Sequence, residues 1–204
     1  MISRAAPVAS HTVCSIFFHF VLTHFVGHVS LFFRYLKGTK ELWLTYGGQQ
    51  KDLKGYANAD GSLSRHANSG YAFLLHGGAV SWAAKRQEIV SLSTNESEYV
   101  AVTHASKEVL WLRSLIIQLF NVKLEPTTLF SDNQSAIALT KDHQYHPRTK
   151  HIDIRFLFIR CIIKNGSIHL IYCPTEDMLA DTLTKVLPSP KVKHFAVELG
   201  LALV

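Results

Sequence analysis

The chain has 204 residues, of which 48% are hydrophobic and 18% are charged, so it can form one sizeable domain and is too apolar for intrinsic disorder. Its three cysteines are odd in number and lack C-x-x-C spacing, which argues against a disulfide scaffold or a zinc ribbon and favours a reducing compartment. The formal net charge of +6 is compatible with a polyanionic partner such as nucleic acid but does not require one.

The N-terminal part contains a long uncharged run. Residues 13–33 have no Lys, Arg, Asp or Glu over 21 positions, which is the length of a membrane span. His19, His24 and His28 interrupt the run, and polar groups inside a bilayer are costly. We therefore expect neither a membrane span nor a signal peptide here.

Three short strands are predicted after residue 50. Apolar runs separated by turn residues place them at 54–60, 69–75 and 79–84, and Gly77-Gly78 is a hairpin signal between the last two. This spacing predicts an antiparallel meander.

From residue 93 onward, the apolar residues recur at steps of three and four, which is the spacing of a helix. Ser93 and Glu96 form a capping box, which predicts the start of a long helix with an apolar face. The remaining predictions are strands at 127–131 and 167–173 and helices at 133–140, 151–164, 174–185 and from Ser189. This order predicts one mixed sheet with helices packed on it. We expect four aromatic residues to be core: Tyr71, Phe73, Trp82 and Trp111.

Acidic residues fall at the ends of the predicted elements. Asp60 and Asp132 end strands, Glu98 is in the first turn of the long helix, and Asp181 lies in the helix after the last strand. Clustered carboxylates are unfavourable unless they bind cations or keep protons, and hard oxygen ligands without Cys or His suit Mg²⁺ or Mn²⁺. Two such ions about 3.5–4 Å apart can activate water and stabilise the leaving oxygen of a phosphodiester. The alternative is a set of solvated acids favoured by helix dipoles.

Six motifs in this order resemble the ribonuclease H domain of copia-type LTR-retrotransposon polyproteins. They are GYANAD (55–60), SGYAFLLHGGAVSWAAKRQ (69–87), SLSTNESEYVA (91–101), FSDNQSAIAL (130–139), HPRTKHIDIRFLFIR (146–160) and YCPTEDMLADTLTK (172–185). Residues 34–48 resemble the segment that joins the reverse transcriptase to that domain. The resemblance implies an α/β ribonuclease H-like fold, with a five-stranded mixed sheet and helices on both faces.

The resemblance also implies a reaction and a cofactor. The family hydrolyses the RNA strand of RNA–DNA hybrids with two Mg²⁺ ions, for which Mn²⁺ can substitute, held by a D-E-D-D carboxylate set. Carried over to this sequence, the set includes Glu98 in E-Y-x-A, Asp132 in S-D-N-Q and Asp181 in L-A-D-x-L-T-K. Glu96 and Asp177 remain alternatives to Glu98 and Asp181.

The first aspartate of the family pattern is missing. The pattern resembles G-Y-x-D-A-D, and this chain has Asn58 at the position of the metal-bridging aspartate. An amide oxygen is a neutral and weaker ligand than a carboxylate, so we expect impaired metal binding. Asp60 faces the same side of a strand but lies about 6.5–7 Å further along, so we expect it to help hold one metal at most.

Polar and basic residues near these acids are candidates for nucleic-acid contact. The candidates are Asn133, Gln134, Arg148, Lys150, His151, Lys85 and Arg86. The stretch 141–164 carries six Lys or Arg against two acids, which predicts either a phosphate-contacting surface or a solvated helix face. Asn133 is equally a candidate helix cap, and Lys85 and Arg86 can equally be a solvated hairpin end.

These observations predict three segments: a degenerate reverse-transcriptase end with a connecting segment (1–50), a ribonuclease H-like domain (51–187) and a C-terminal helical tail (188–204). The expected activity is ribonuclease H, in one polyprotein with a reverse transcriptase. The alternatives are a hybrid-binding module impaired by Asn58 and a non-functional transposon relic. We expect a cytoplasmic location, in a virus-like particle, or a nuclear one, and no secretion.

Overall fold

The computed structural model describes residues 29–48, 52–60, 66–91, 93–141 and 150–203. Most of the uncharged N-terminal run lies outside these ranges. Within them, no helix combines the length and the apolar composition that crossing a membrane requires.

A five-stranded mixed sheet organises the fold. Its strands are β2 (Lys54–Ala59), β3 (Asn68–Leu75), β4 (Gly78–Arg86), β5 (Thr127–Ser131) and β6 (Ile168–Tyr172), in the order β4-β3-β2-β5-β6. The pairs β2–β3 and β3–β4 are antiparallel, whereas β5 runs parallel to both β2 and β6. A separate two-stranded antiparallel sheet joins β1 (Leu42–Leu44) to β7 (Leu201–Leu203). The predicted mixed sheet of five strands is confirmed.

Helices cover both faces of this sheet. They are α1 (Val29–Thr39), α2 (Thr94–Phe120), α3 (Gln134–Lys141), α4 (Lys150–Lys164), a 3₁₀ helix (Leu179–Leu183) and α5 (Ser189–Glu198). Phe73 packs with buried residues of α2 and α4 on one face. Ala72 and Leu74, its neighbours in β3, face the other way and pack with the 3₁₀ helix and α5. This alternation is that of a strand with two buried faces.

Local sequence signals explain where several elements begin and end. The Ser93 hydroxyl accepts a hydrogen bond from the Glu96 backbone N–H at 3.2 Å, so the predicted cap of α2 is confirmed. Asn121 ends α2 in the left-handed conformation. The β3–β4 turn is formed by His76 and Gly77, both with positive φ, one residue before the predicted Gly77-Gly78.

Three sequence predictions are corrected by the structure. The helix predicted over 174–185 is reduced to the 3₁₀ helix, because Met178 is extended and fully buried, and this places the following residues against the sheet. Trp111 is 58% exposed rather than core, because Val109 and Leu112 are the buried positions in this part of α2 and Trp111 lies about 160° and 100° from them around the helix. The tail 188–204 is not wholly helical, since it ends in β7.

Candidate active site

The site lies where the parallel strands β2 and β5 end. Asn58 is the second-last residue of β2, and Asp132 follows directly after β5. Because parallel neighbours end at the same edge of a sheet, these two residues are brought together there. The first turn of α2, which carries Glu98, packs beside the end of β2.

Asn58 is fully buried and contacts Asp181 directly. Its side-chain Nδ2 donates a hydrogen bond to Oδ1 of Asp181, which is itself only 1% exposed. Two ammonium groups also approach this carboxylate: Nζ of Lys185 at 2.9 Å from Oδ1 and Nζ of Lys191 at 3.8 Å from Oδ2. The Asn58 Oδ1 atom has no hydrogen-bond partner within the described part of the chain. The negative charge of Asp181 is therefore balanced by the two lysine ammonium groups and by the Asn58 amide.

Glu98 is anchored to the end of β2. Its Oε2 accepts a hydrogen bond from the Ala59 backbone N–H at 2.9 Å. Burial, together with the negative charge of Asp132, raises the pKa of Glu98 to about 8, although the Ala59 hydrogen bond and Lys185 oppose the shift. The ionised form of Glu98 is thus disfavoured mainly because the side chain is buried.

Asp132 is half-buried and shares this environment. The Thr175 hydroxyl donates a hydrogen bond to its Oδ2 at 3.3 Å. Burial raises the pKa of Asp132, the charge of Asp181 adds to the shift, and Lys185 opposes it. Positions 58, 98, 132 and 181, which are far apart in sequence, are therefore neighbours in the fold, as the sequence predicts.

Two of the four side chains face an open cleft of about 370 Å³. Glu98 and Asp132 line it, together with Lys185 and the first residues of α3. Asn58 and Asp181 are not among its lining residues and lie buried beneath it. The cleft therefore contains the carboxylates of Glu98 and Asp132. Lys185 also lines the cleft, and its ammonium contacts the buried carboxylate of Asp181.

These oxygen donors fit a hard divalent cation such as Mg²⁺. Glu98 and Asp132 face the same cleft, and burial, with a smaller effect from the neighbouring carboxylates, raises the pKa of each, a shift that a bound cation would oppose. Among the residues with described positions, no three His, Cys, Asp or Glu side chains are grouped closely enough to hold a metal ion. A cation in the cleft would thus be held by two carboxylates, those of Glu98 and Asp132, rather than by a set of four.

Comparison with known proteins places the chain in a family. No protein-family model matches the chain. Over 161 residues it is 42% identical to the retrovirus-related Pol polyprotein of transposon TNT 1-94 from Nicotiana tabacum, and this segment is 78% of the chain and 12% of that polyprotein. Over 172 residues it is 33% identical to the Pol polyprotein of transposon RE1 from Arabidopsis thaliana, covering 82% of the chain and 12% of the polyprotein. The chain is a homologue of plant copia-type transposon Pol polyproteins.

The fold agrees with this assignment. The N-terminal RNase H domain of a Mycobacterium tuberculosis protein superposes with a TM-score of 0.50 at 12% sequence identity, covering 72% of the chain and 97% of that structure. The chain therefore has a ribonuclease H-like fold, and it spans about 12% of the length of its Pol relatives.

Three other acidic residues named from the sequence do not line the cleft. Asp60 accepts hydrogen bonds from the backbone N–H and the side-chain amide of Asn68, and it does not line the cleft. Asp177 is exposed and precedes the 3₁₀ helix, so it does not share a helical face with Asp181. Glu96 is buried at the start of α2, but it does not line the cleft either.

The candidate nucleic-acid contacts lie at two places in the fold: at the cleft and at the end of β4. Gln134 is exposed at the cleft, and Asn133, which also lines it, caps α3 by accepting from the Ala136 N–H and donates its amide to Asn95. Lys85 and Arg86 are exposed at the end of β4, on the same edge of the sheet as Asn58.

The basic stretch before and within α4 is only partly covered by the described residues. Arg148 lies outside them. Lys150 and His151 open α4, and the positions of their side chains are not described. Their phosphate contacts remain predictions from the sequence.

Besides Lys191, sequence reasoning missed two residues that act on the carboxylates. Lys185 pairs with Asp181 from four residues away, a spacing that could have indicated the contact. Thr175 reaches Asp132 from 43 residues further along the chain, and no local signal indicates that contact.

The buried Glu98 predicts a specific dependence of stability on pH. Its pKa is about 8 in the folded chain against an ordinary value of 4.5, so between these values the folded state holds a proton that the unfolded state gives up. We therefore expect the free energy of unfolding, measured with urea in the absence of divalent cations, to fall as the pH rises through this window. Glu98→Gln should flatten the curve, and a flat curve for the wild type would contradict the shift.

Proposed function

We propose that this chain is a ribonuclease H-type domain that binds RNA–DNA hybrids and hydrolyses their RNA strand, with turnover reduced by Asn58. The observation that carries the proposal is the cleft that Glu98 and Asp132 share, above the buried Asp181, in a ribonuclease H-like fold. The homologous Pol polyproteins support a role inside a longer retrotransposon product that includes a reverse transcriptase.

The residues of the cleft have distinct roles in this proposal. Glu98 and Asp132 would hold Mg²⁺, or Mn²⁺ in its place, and the bound cation supplies an activated water and charge stabilisation at the scissile phosphate. Thr175 orients Asp132 through its hydroxyl, and the Ala59 N–H orients Glu98. Asp60 is expected to contribute little, because its oxygens are engaged by Asn68.

The surroundings of the cleft suit a nucleic-acid duplex. Gln134 offers an amide at the rim, where a 2′-hydroxyl that distinguishes RNA from DNA can be recognised. Lys85 and Arg86 lie exposed on the same sheet edge and can contact phosphates. Arg148, Lys150 and His151 extend the proposed basic surface in sequence.

A hybrid-binding module without efficient turnover is a second candidate, and the contact of Asn58 with Asp181 favours it. A hydrogen-bonded amide stands where the resemblance implies a carboxylate ligand, so the two-ion arrangement of the family lacks one of its four charges. The fold and the contacts to nucleic acid do not depend on that charge. Binding can therefore persist where hydrolysis is weak.

Binding of a labelled RNA–DNA hybrid to the full chain tests both candidates. We expect the affinity to fall by on the order of tenfold or more between 50 and 200 mM salt, because phosphate contacts release counterions. Double-stranded DNA of the same length serves as the control and should bind more weakly. Binding that is absent, or that does not change with salt, would contradict the proposed function.

A further inference from the structure

Lys191 lies in α5, within the segment 188–204 that the sequence predicts as a tail outside the ribonuclease H-like domain. Its Nζ donates a hydrogen bond to the backbone carbonyl of Thr175 at 2.9 Å and lies 3.8 Å from Oδ2 of Asp181. The same Nζ lies 5.1 Å from the centre of the Phe195 ring. One lysine of the tail therefore contacts two of the segments that form the active site.

Helix α5 is held in place by contacts that do not involve Lys191. Phe195 is completely buried and packs with residues of β3 and of the 3₁₀ helix. Just after α5, the Leu199 carbonyl accepts a hydrogen bond from the Ala79 N–H at 2.9 Å, and the Gly200 carbonyl accepts one from the Thr45 N–H at 2.8 Å. The helix that carries Lys191 is therefore fixed relative to the sheet, and the lysine ammonium can hold the segments that it contacts.

Thr175 lies in the exposed turn 174–177, between β6 and the 3₁₀ helix. Its carbonyl accepts a hydrogen bond from Lys191, and its hydroxyl donates one to Oδ2 of Asp132 at 3.3 Å, so this residue connects α5 to the cleft. An exposed turn has few packing contacts to fix it, and a hydrogen bond from an ammonium group is roughly twice as strong as one between neutral groups. The contact with Lys191 therefore determines where the Thr175 hydroxyl lies.

Each carboxylate oxygen of Asp181 has a lysine ammonium near it. Lys185 is 2.9 Å from Oδ1, and Lys191 is 3.8 Å from Oδ2. The Asp181 side chain is 2% exposed, so water cannot replace an ammonium that is removed. Breaking a buried ion pair by removing one partner is costly, and Lys191 therefore helps to keep Asp181 in place beneath the cleft.

We propose that Lys191 is a positioning residue of the active site, which holds the turn 174–177 so that the Thr175 hydroxyl reaches Asp132 and which fixes the buried Asp181. The segment 188–203 is thus part of the structure that supports the active site. This proposal rests on the proposed function, because the role it gives Lys191 belongs to the same hydrolysis.

Alkylation of Cys173 in the full chain tests the contact without relying on activity. Cys173 is 6% exposed and lies two residues before Thr175, whereas Cys161 is exposed and serves as the internal reference. Lys191→Met keeps the apolar stem and removes the ammonium. Iodoacetamide should then modify Cys173 on the order of tenfold faster, because the turn opens more often after losing a hydrogen bond to a charged group. Lys193→Met removes the same charge from an exposed position of α5 and should leave both thiols unchanged.

Single-turnover cleavage and hybrid affinity separate positioning from substrate contact. In the wild-type and Asn58→Asp backgrounds, Lys191→Met should lower the cleavage rate by on the order of tenfold, because the carboxylates lose their fixed geometry. Hybrid affinity and its salt dependence should stay the same, since the Lys191 ammonium is engaged within the protein. Lys191→Arg keeps the positive charge and should retain more of the rate than Lys191→Met, and Lys193→Met should match its parent.

The possible results distinguish this proposal from the proposed function. If Cys173 stays protected in Lys191→Met, or loses protection with no change in cleavage rate, the positioning role is overturned and the proposed function is left intact. Weaker hybrid binding with a smaller salt dependence would mean that Lys191 contacts a phosphate, and this too would overturn the positioning role. A chain that neither binds nor cleaves hybrids in either background would overturn the proposed function, and with it the role of Lys191 in the reaction, whatever the result for Cys173.

Discussion

Asn58→Asp should increase the rate of RNA-strand cleavage in an RNA–DNA hybrid by on the order of a hundredfold in Mg²⁺, the effect typical of restoring one group that stabilises a transition state. The reason is electrostatic. The wild-type amide is neutral and donates to Asp181, whereas a carboxylate at the same buried position would add a fourth negative charge to the cluster. Single-turnover cleavage of a hybrid labelled on the RNA strand measures the difference.

Two controls define this comparison. Asn165→Asp adds an identical charge at an exposed position and should leave the rate at the wild-type level. Hybrid affinity should be similar in all three proteins, so that the change lies in turnover. A wild-type chain that cuts as fast as Asn58→Asp would show that Asn58 does not limit the reaction.

Gly70→Ala should lower the free energy of unfolding by about 1–3 kcal/mol, the usual cost of overpacking a close contact. Gly70 lies in β3, where the 3₁₀ helix carrying Asp181 crosses the sheet. A Cβ atom at residue 70 would lie 2.8 Å from Cβ of Leu183, 2.8 Å from Cγ2 of Thr184 and 3.1 Å from the carbonyl oxygen of Ala180. The 3₁₀ helix must then move away from β3, and Asp181 moves with it.

Urea unfolding measures this cost, and Gly38→Ala is the matched control. Gly38 lies in α1, and a Cβ atom there would meet no atom within 4 Å, so this substitution should be neutral or slightly stabilising. Equal stability of Gly70→Ala and the wild type would mean that the 3₁₀ helix is not held closely against β3.

Elements whose signals are local were predicted well from the sequence. Strand β5 has the predicted bounds Thr127–Ser131, and α2 begins after the predicted cap at Ser93. Both depend on residues adjacent in sequence, a β-branched and aromatic run in one case and a capping hydroxyl in the other. The mixed sheet was also predicted, because strands joined by short turns or by helices have few possible arrangements.

Elements that depend on distant contacts were not predicted. The pairing of β1 with β7 joins Leu42 to Leu203 across most of the chain. The helix predicted over 174–185 is mostly absent, because burial of Met178 against the sheet overrides helix propensity. Trp111 lies between Val109 and Leu112 in sequence, but it is on a different side of α2 from these buried residues and is exposed.

In the active site, too, features with a motif in the sequence were predicted and features that depend on distant contacts were not. The neighbourhood of positions 58, 98, 132 and 181 was predicted from motifs, and the structure brings these residues together. The hydrogen bond from Asn58 to Asp181 spans 123 residues, and the compensation of Asp181 by Lys191 depends on how α5 packs. The sequence therefore showed that a carboxylate is missing at position 58, but it did not indicate that Asp181 is paired with Asn58 and Lys191.

The most direct test of the active site compares two glutamates that are two residues apart in α2. Both Glu96 and Glu98 are buried, and Glu98 lines the cleft and accepts a hydrogen bond from the Ala59 N–H at the end of β2. In the Asn58→Asp background, Glu98→Gln should reduce the single-turnover rate of hybrid cleavage by on the order of a hundredfold or more, and Glu96→Gln should leave it unchanged. Equal losses in the two variants, or a larger loss in Glu96→Gln, would contradict the assignment of Glu98 to the active site.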